Sequence, residues 1–425
     1  MNNRYISLYF ASIGFIEVFI LLIAILKMPF LRYKLNLEKL HKIIREQFNG
    51  STVFTYTSAR GALADFLISL NLSPDDEVAI SSFSCLAVPT AVVAAGLKPA
   101  YYDINPETMN ISMETIAPVL TSKTRVIIVQ HTLGSIFEID QMIKWAHQKD
   151  IILVEDCALS IGKTAKGQIV GGRGDAAIFS MELSKILSSG WGGVLVINNS
   201  KFIESLRRRY YTHDFLPLIR RLQMGMQTAL CGIFYQPNLY WITRYGVAIF
   251  YKLKLFKRST PLSECEGHIN KNFISKLGNP QIQLAIHQWK NVDIIKKECI
   301  DNADYINKVL RKCEYKTFKD STNNINKVAT PRVPFLIKNR SSIKDWFTKH
   351  NIELGSWFDG PLSPIPSAKI FNYDPELYPN ALFISKHIVN IPCHNRLSNN
   401  DLLHMELLIN IYFEKYPDSN IITPK

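Results

Sequence analysis

"GDAAIFSMELSKILSSGWGGVLVINN", Gly174–Asn199, sets one lysine, Lys185, among small and apolar residues. A β-rich run, AAIFSM, leads into it, and a glycine-rich turn and a second run, GGVLVINN, follow it. The lysine is therefore predicted to sit in a loop between two strands. Upstream, from Val53, the runs VFTYTSA, EVAISSF, KPAYYDI, TRVIIVQH and IILVEDCA alternate with segments of helical spacing such as GALADFLISLNL and IDQMIKWAHQKD. Near-continuous apolar strands separated by helices predict an α/β fold, with a mostly parallel seven-stranded sheet covered on both faces. Ligands of such sheets bind at the carboxyl ends of strands, so polar residues there are the candidates for chemistry.

Three strand ends carry complementary groups. IILVED finishes on Asp156, which alone would read as a helix cap. In TSARGAL, Ser58 and the backbone N–H groups of Ala59, Arg60 and Gly61 would stand at a helix N-terminus, where a phosphate is favoured. Ser180 ends AAIFS and can offer a hydroxyl to the same group. A lysine, a carboxylate and a phosphate cradle together suit pyridoxal phosphate. The lysine amine forms a Schiff base with its aldehyde, and a buried Asp keeps the pyridine nitrogen protonated so that the ring withdraws electrons. The GGRGD at 171–175 has neither the spacing nor the strand context of a dinucleotide fingerprint.

Beyond Asn199 the pattern breaks. Residues 207–258 hold ten Lys/Arg against one acid, Asp214, interleaved with Trp, Tyr and Phe, within a chain of net charge +13. Without an RNP motif, zinc finger or helix-turn-helix signature, this stretch points to an anionic membrane surface or an acidic lipid-phosphate substrate rather than to nucleic acid. A long helical region follows from Asn279, and a smaller α/β unit from about Val328. The expected organisation is a hydrophobic N-terminal helix (1–34), a cofactor-binding large domain (35–206), the basic-aromatic insert (207–270), and a long helix with a small C-terminal domain (271–425).

The chain has 425 residues, 47% of them hydrophobic, which excludes a disordered polypeptide. Seven cysteines at wide spacing, with no CxxC or Cys/His cluster, argue for a reducing compartment and against a disulfide scaffold or a structural zinc; no metal is expected. Tyr5–Leu26 carries a single charge, Glu17, and is long enough to span a bilayer as a helix. Lys27, Arg32 and Lys34 after it, against Arg4 before it, put its C-terminal flank on the cytoplasmic side. The alternatives are a helix lying in the membrane interface, a signal peptide lacking a clean cleavage site, or a buried helix docked on the basic insert. A cytoplasmic location, or the cytoplasmic face of the inner membrane, is expected.

From Thr57 to about Asn199, and again from Lys276 onward, the chain resembles the DegT/DnrJ/EryC1/StrS family of pyridoxal-phosphate-dependent sugar aminotransferases. The resemblance rests on TSARGALADFLISLNLSPDDEVAISSFSCLAVPTAVVAAGLKPAYYDINPETMNIS, VQHTLGSIFEID, ILVEDCALSIG, GDAAIFSMELSKILSSGWGGVLV and VNIPCHNRLS. It implies a fold-type I architecture, with a large cofactor domain and a small C-terminal α/β domain, usually in a homodimer with active sites at the interface. It implies Lys185 as the Schiff-base lysine, Asp156 as the partner of the ring nitrogen, and Ala59, Arg60 and Ser180 as phosphate ligands. The substrates it implies are a keto-sugar, nucleotide- or lipid-linked, and glutamate as amino donor, in surface polysaccharide synthesis.

Departures from the family pattern accompany these matches. Cys85 stands where the family usually stacks an aromatic on the cofactor. Leu159 stands where a Gln approaches the cofactor hydroxyl, and Trp191 turns GEGG into GWGG. Lys276 is the nearest match to an Arg contributed by the partner subunit. His131 matches a family histidine at a strand end and is either a substrate contact or a structural residue bonded to backbone. The alternative these departures favour is a non-catalytic, membrane-associated relative with a decayed pocket.

Overall fold

Each of the seven apolar runs forms a strand. In the computed structural model, which describes residues 4–419 apart from 9–11, 138, 164–166, 241–242, 244–248, 254–255, 258, 267–270, 315–317, 319–326 and 365–367, these are β1 (Thr52–Tyr56), β2 (Glu77–Ser81), β3 (Lys98–Tyr102), β4 (Thr124–Gln130), β5 (Ile152–Asp156), β6 (Ala176–Ser180) and β7 (Gly193–Ile197). They make one sheet in the order β1-β7-β6-β5-β4-β2-β3. β7 runs antiparallel to both β1 and β6, and the other neighbouring pairs are parallel. A parallel neighbour needs a long crossover, whereas a short loop can return a strand only antiparallel. The loop from Ser180 to Gly193 is such a return, and it holds Lys185.

Helices cover both faces. The helices used below are α1 (Phe15–Leu26), α2 (Tyr33–Gln47), α3 (Ala59–Ser69), α4 (Leu218–Phe234), α5 (Asn279–Lys290), α6 (Val292–Lys312) and α7 (Asn399–Lys415). Ile178 packs with Leu63 and Phe66 of α3, while Ala177 and Phe179 pack with Leu40 and Ile44 of α2 and Trp289 of α5. This is the two-residue alternation of a strand buried on both sides. The smaller C-terminal unit pairs β8 (Arg332–Leu336) antiparallel with β9 (Ile388–Pro392). Val333, Phe335, Val389 and Ile391 pack there against Ile306 and Leu310 of α6 and Met405 and Ile409 of α7.

The N-terminal stretch does not form the bilayer-spanning helix that its length allows. Ile6 belongs to the C-terminal core: its N–H donates to Asn351 O at 2.8 Å, and Glu353 N–H donates to Ile6 O at 2.9 Å. Among its described residues only Phe15–Leu26, 12 residues, is helical as α1, about 18 Å at 1.5 Å per residue, against a hydrocarbon core of about 30 Å. Among the described residues no helix is long and apolar enough to cross a membrane. The observed arrangement is the docked-helix alternative. Val18, Leu21 and Ala24 are buried, and α1 packs on α4 of the basic insert and on α5. The contact needs Gly232 of α4, where a Cβ would stand 2.5 Å from Val18 Cγ2 and 2.8 Å from Ile13 Cγ2. Glu17, which would be costly in lipid, instead accepts from Gly14 N at 2.8 Å and lies 3.1 Å from His287 Nε2. Trp241, Arg244, Lys254 and Arg258 of the basic-aromatic stretch lie outside the described residues.

Candidate active site

The carboxyl ends of β1, β5 and β6 open into one cavity of about 690 Å³ lined by Lys185, Asp156, Ser58, Ala59, Arg60, Ser180 and Cys85, among others. The Lys185 loop is pinned at its base. Ser180 pairs with Gly193 across β6–β7, Met181 N–H donates to Gly192 O at 2.9 Å, and Ser189 N–H donates to Met181 O at 3.0 Å. The lysine is 9% exposed, and among the described residues its Nζ has neither a hydrogen bond nor an ion pair. It faces the Trp357 ring, 4.4 Å from the centroid. Burial pushes its pKa down, with Glu182 and Cys85 pulling the other way and Arg332 adding to the depression. A buried amine that sheds its charge easily is a usable nucleophile and base at neutral pH.

Asp156 is fully buried at the end of β5. One oxygen accepts from Ala158 N at 2.9 Å, and the other has no partner among the described residues. Burial raises its pKa, against the pull of the Ala158 N–H and of Lys185. A positively charged ring nitrogen beside it would stabilise the carboxylate, because an opposite charge favours the ionised form.

The phosphate cradle is the start of α3. Ser58 caps the helix, accepting from Gly61 N at 3.0 Å, and this leaves the N–H groups of Ala59 and Arg60 without partners among the described residues. Free N–H groups at a helix N-terminus favour an anion. β7 lies against the cradle so closely that a Cβ at Gly193 would stand 2.2 Å from Ala59 N. Trp191, from the same turn, also lines the cavity, and its indole Nε1–H is buried with no partner among the described residues. An unengaged amine, an unengaged carboxylate oxygen and open N–H donors on one cavity fit pyridoxal phosphate.

The Arg60 side chain does not enter the cradle. It pairs with Glu264, donates to Ser259 O at 2.8 Å, and lies over the Phe273 ring at 4.3 Å. Its share in holding a phosphate is thus its backbone N–H. Three other candidates stay off the cavity lining. Leu159 is buried in an apolar cluster with Phe83 and Phe358. His131 lies 3.0 Å from Glu155 through its Nε2, both residues 1% exposed, while its backbone N–H donates to Asp156 O. Strand alternation turns Glu155 to the face opposite Asp156, where it accepts from the N–H groups of Gly171, Arg173 and Gly174. The His131 ring thus meets a carboxylate away from the cavity lining, and its Nδ1 has no partner among the described residues. Lys276 donates to Tyr211 O at 3.1 Å beside the rings of Tyr210 and Phe215.

Two parts of the lining carry no local signal in the sequence. Trp357 reaches Lys185 from the C-terminal unit, its N–H donating to Asn390 Oδ1 at 2.7 Å. A two-residue parallel ladder, Leu362–Ser363 on Ser84–Cys85, fixes that unit beside Cys85. The basic insert supplies Gln227, Tyr235, Tyr251, Lys257 and Ser259. Its cationic, aromatic character, which pointed to an external anionic surface, also furnishes an internal wall.

Residues 23–227 match the model of the DegT/DnrJ/EryC1/StrS aminotransferase family. An uncharacterised protein of Methanocaldococcus jannaschii is 24% identical over 383 residues, 86% of each chain. GDP-perosamine synthase of Escherichia coli O157:H7 is 29% identical over 189 residues, 42% of this chain and 52% of that protein, so the chain spans about half the length of this curated relative. Among solved structures, the Helicobacter pylori aminotransferase PseC, involved in pseudaminic acid biosynthesis, superposes with a TM-score of 0.73 at 16% identity, over 97% of this chain and all of that one. The likeness is one of fold.

Proposed function

The chain belongs to the DegT/DnrJ/EryC1/StrS aminotransferase family, which works with pyridoxal phosphate, and from that premise we propose that it moves an amino group from glutamate to the carbonyl of a nucleotide- or lipid-linked keto-sugar. The observation that carries the proposal is the meeting of Lys185, Asp156 and the open N-terminus of α3 on one cavity. When bound, pyridoxal phosphate supplies an electron sink for charge developing on the donor's α-carbon. In the donor half-reaction Lys185 Nζ, depressed in pKa, would take the proton from that carbon, and in the sugar half-reaction it would give a proton to the former carbonyl carbon. Asp156 would keep the ring nitrogen protonated. Ser58, Ser180 and the N–H groups of Ala59 and Arg60 would hold the phosphate, and Trp357 and the insert would wall the cavity.

The test is the visible absorption spectrum of the purified protein beside Lys185→Ala, before and after glutamate. A band that is absent in the variant and bleached by glutamate is expected. A protein with no band even in added pyridoxal phosphate overturns the reading in favour of a non-catalytic relative.

The membrane contact belongs to the same proposal and to the outward face of α1. Phe15, Ile16, Phe19, Leu26 and the following Phe30 are exposed, flanked by exposed Lys27, Arg32 and Lys34. An apolar stripe with a cationic rim fits an anionic bilayer surface. The homodimer implied by the family resemblance is a separate proposal, read by light scattering.

A further inference from the structure

The insert wall of the cavity contains a cation with no acidic partner among the described residues. Lys257 lines the cavity, and its Nζ has no acceptor among the described residues. The carboxylates nearby are engaged elsewhere: Glu182 accepts from the N–H and hydroxyl of Ser184, and Glu264 pairs with Arg60. Asp156 lies at the other end of the chemistry, as the partner of the ring nitrogen.

The backbone at Lys257 is also held with unusual care. Gln227 of α4, 2% exposed, donates from Nε2 to Lys257 O at 2.9 Å and accepts from Lys257 N at 2.9 Å. One buried amide thus satisfies both backbone groups of one residue, as a neighbouring strand would. Two residues on, Ser259 lines the same cavity, and its carbonyl is tied to Arg60, which belongs to the cradle helix. The insert's lysine and the cofactor cradle are therefore fixed to one frame. An unpaired ammonium in a partly enclosed cavity carries a desolvation cost that a negatively charged ligand offsets.

Resting on the aminotransferase reading, we propose that Lys257, with the Ser259 hydroxyl beside it, forms a subsite for an oxyanion of the substrate. That oxyanion is the distal carboxylate of a dicarboxylic amino donor or a phosphate of the activated sugar. Gln227 is the positioning residue, setting the direction from which the ammonium enters the cavity.

The experiment uses the holoprotein and three probes. Glutamate and alanine are titrated against the visible band, and UDP is titrated by calorimetry, for wild type, Lys257→Gln and Lys257→Arg. A rise of about tenfold or more in the glutamate needed for half-bleaching in K257Q, with alanine unchanged, assigns the subsite to the donor carboxylate. A comparable rise in the UDP dissociation constant, with glutamate unchanged, assigns it to phosphate. In either case K257R, which keeps the charge and reports on folding of the insert, recovers most of the affinity. Unchanged glutamate and UDP binding in K257Q overturns the subsite. Failure of the aminotransferase reading registers separately, as a wild-type band that glutamate does not bleach, and leaves the UDP titration intact as a test of Lys257.

Discussion

The ammonium of Lys185 and the indole of Trp357 face one another at 4.4 Å, although one belongs to the large unit of the chain and the other to the small C-terminal unit. Arg332 lies 4.8 Å from the centroid of the same ring. Trp357 is thus the broad aromatic surface nearest the reacting amine, on a cavity where Cys85 offers little area. Trp357→Ala is expected to speed loss of pyridoxal phosphate on dialysis by about fivefold, since an aromatic face contributes about 1 kcal/mol beyond its buried area. Trp357→Phe retains most of it. The fraction of visible band left after dialysis reads the effect.

The depressed pKa of Lys185 gives a signed pH dependence. In the unfolded chain its amine titrates near 10.4, and in the fold it releases its proton earlier because of burial. Cofactor capture needs the neutral amine, so the loading rate of the apoprotein rises with pH and levels off below the ordinary lysine value. In that same window the unfolded state binds more protons, so apoprotein stability rises with pH. Glu182 opposes the depression. Glu182→Gln therefore moves the plateau to lower pH, and a shift to higher pH would refute the assignment of Lys185 as the titrating group.

Gly193→Ala tests the cradle. Its Cβ would meet Ala59 N at 2.2 Å and Ser58 C at 2.3 Å, so β7 and the α3 N-terminus must part. The wild type is expected to prefer pyridoxal phosphate strongly over pyridoxal, because the open N–H groups serve the phosphate. In the variant the preference collapses, with pyridoxal itself little affected. Competitive titration of the visible band by the two compounds measures it.

The Arg60–Glu264 pair is buried on both sides, at 7% and 0% side-chain exposure. Removing one partner leaves a buried charge uncompensated, and each single Ala replacement is expected to cost about 3–5 kcal/mol. The double replacement costs less than the sum. Urea unfolding of the four proteins closes the cycle, and limited proteolysis after Ser259 shows whether the insert has come away.

For the membrane contact, deleting the first 34 residues is a poor test, because Ile6 and α1 belong to packed cores. Phe15→Ser, Phe19→Ser and Phe30→Ser together alter only exposed positions. They are expected to reduce co-sedimentation with phosphatidylglycerol vesicles several-fold while leaving the thermal midpoint unchanged. Wild-type protein that ignores the vesicles removes the proposal.

The strands and the Lys185 loop were legible because both are local patterns. Alternation of β-rich and helical runs carried all seven strands, and the Ser180 to Gly193 return follows from loop length. The cradle was legible because capping chemistry is local too. The role of α1 was not, because a helix apolar on every side reads the same whether its cover is lipid or protein. Its partner Gly232 lies far along the chain, and a lone glycine does not announce a close approach. His131 and Leu159 were placed by analogy of position, and the face each side chain takes was settled by packing: Glu155 claims the one, the Phe83 cluster the other. Trp357 and Lys257 reach the cavity through tertiary contacts that no window of sequence contains.

The docking of α1 also constrains how the protein can be made. Its covers, α4 and α5, end at Phe234 and Lys290, and the strand-like contact of Ile6 waits for Asn351 and Glu353. During synthesis α1, an apolar helix, therefore leaves the ribosome long before the helices that shelter it. Through that interval α1 stays uncovered in the nascent polypeptide, and chaperone capture or transient membrane adsorption at this stage is the expected consequence.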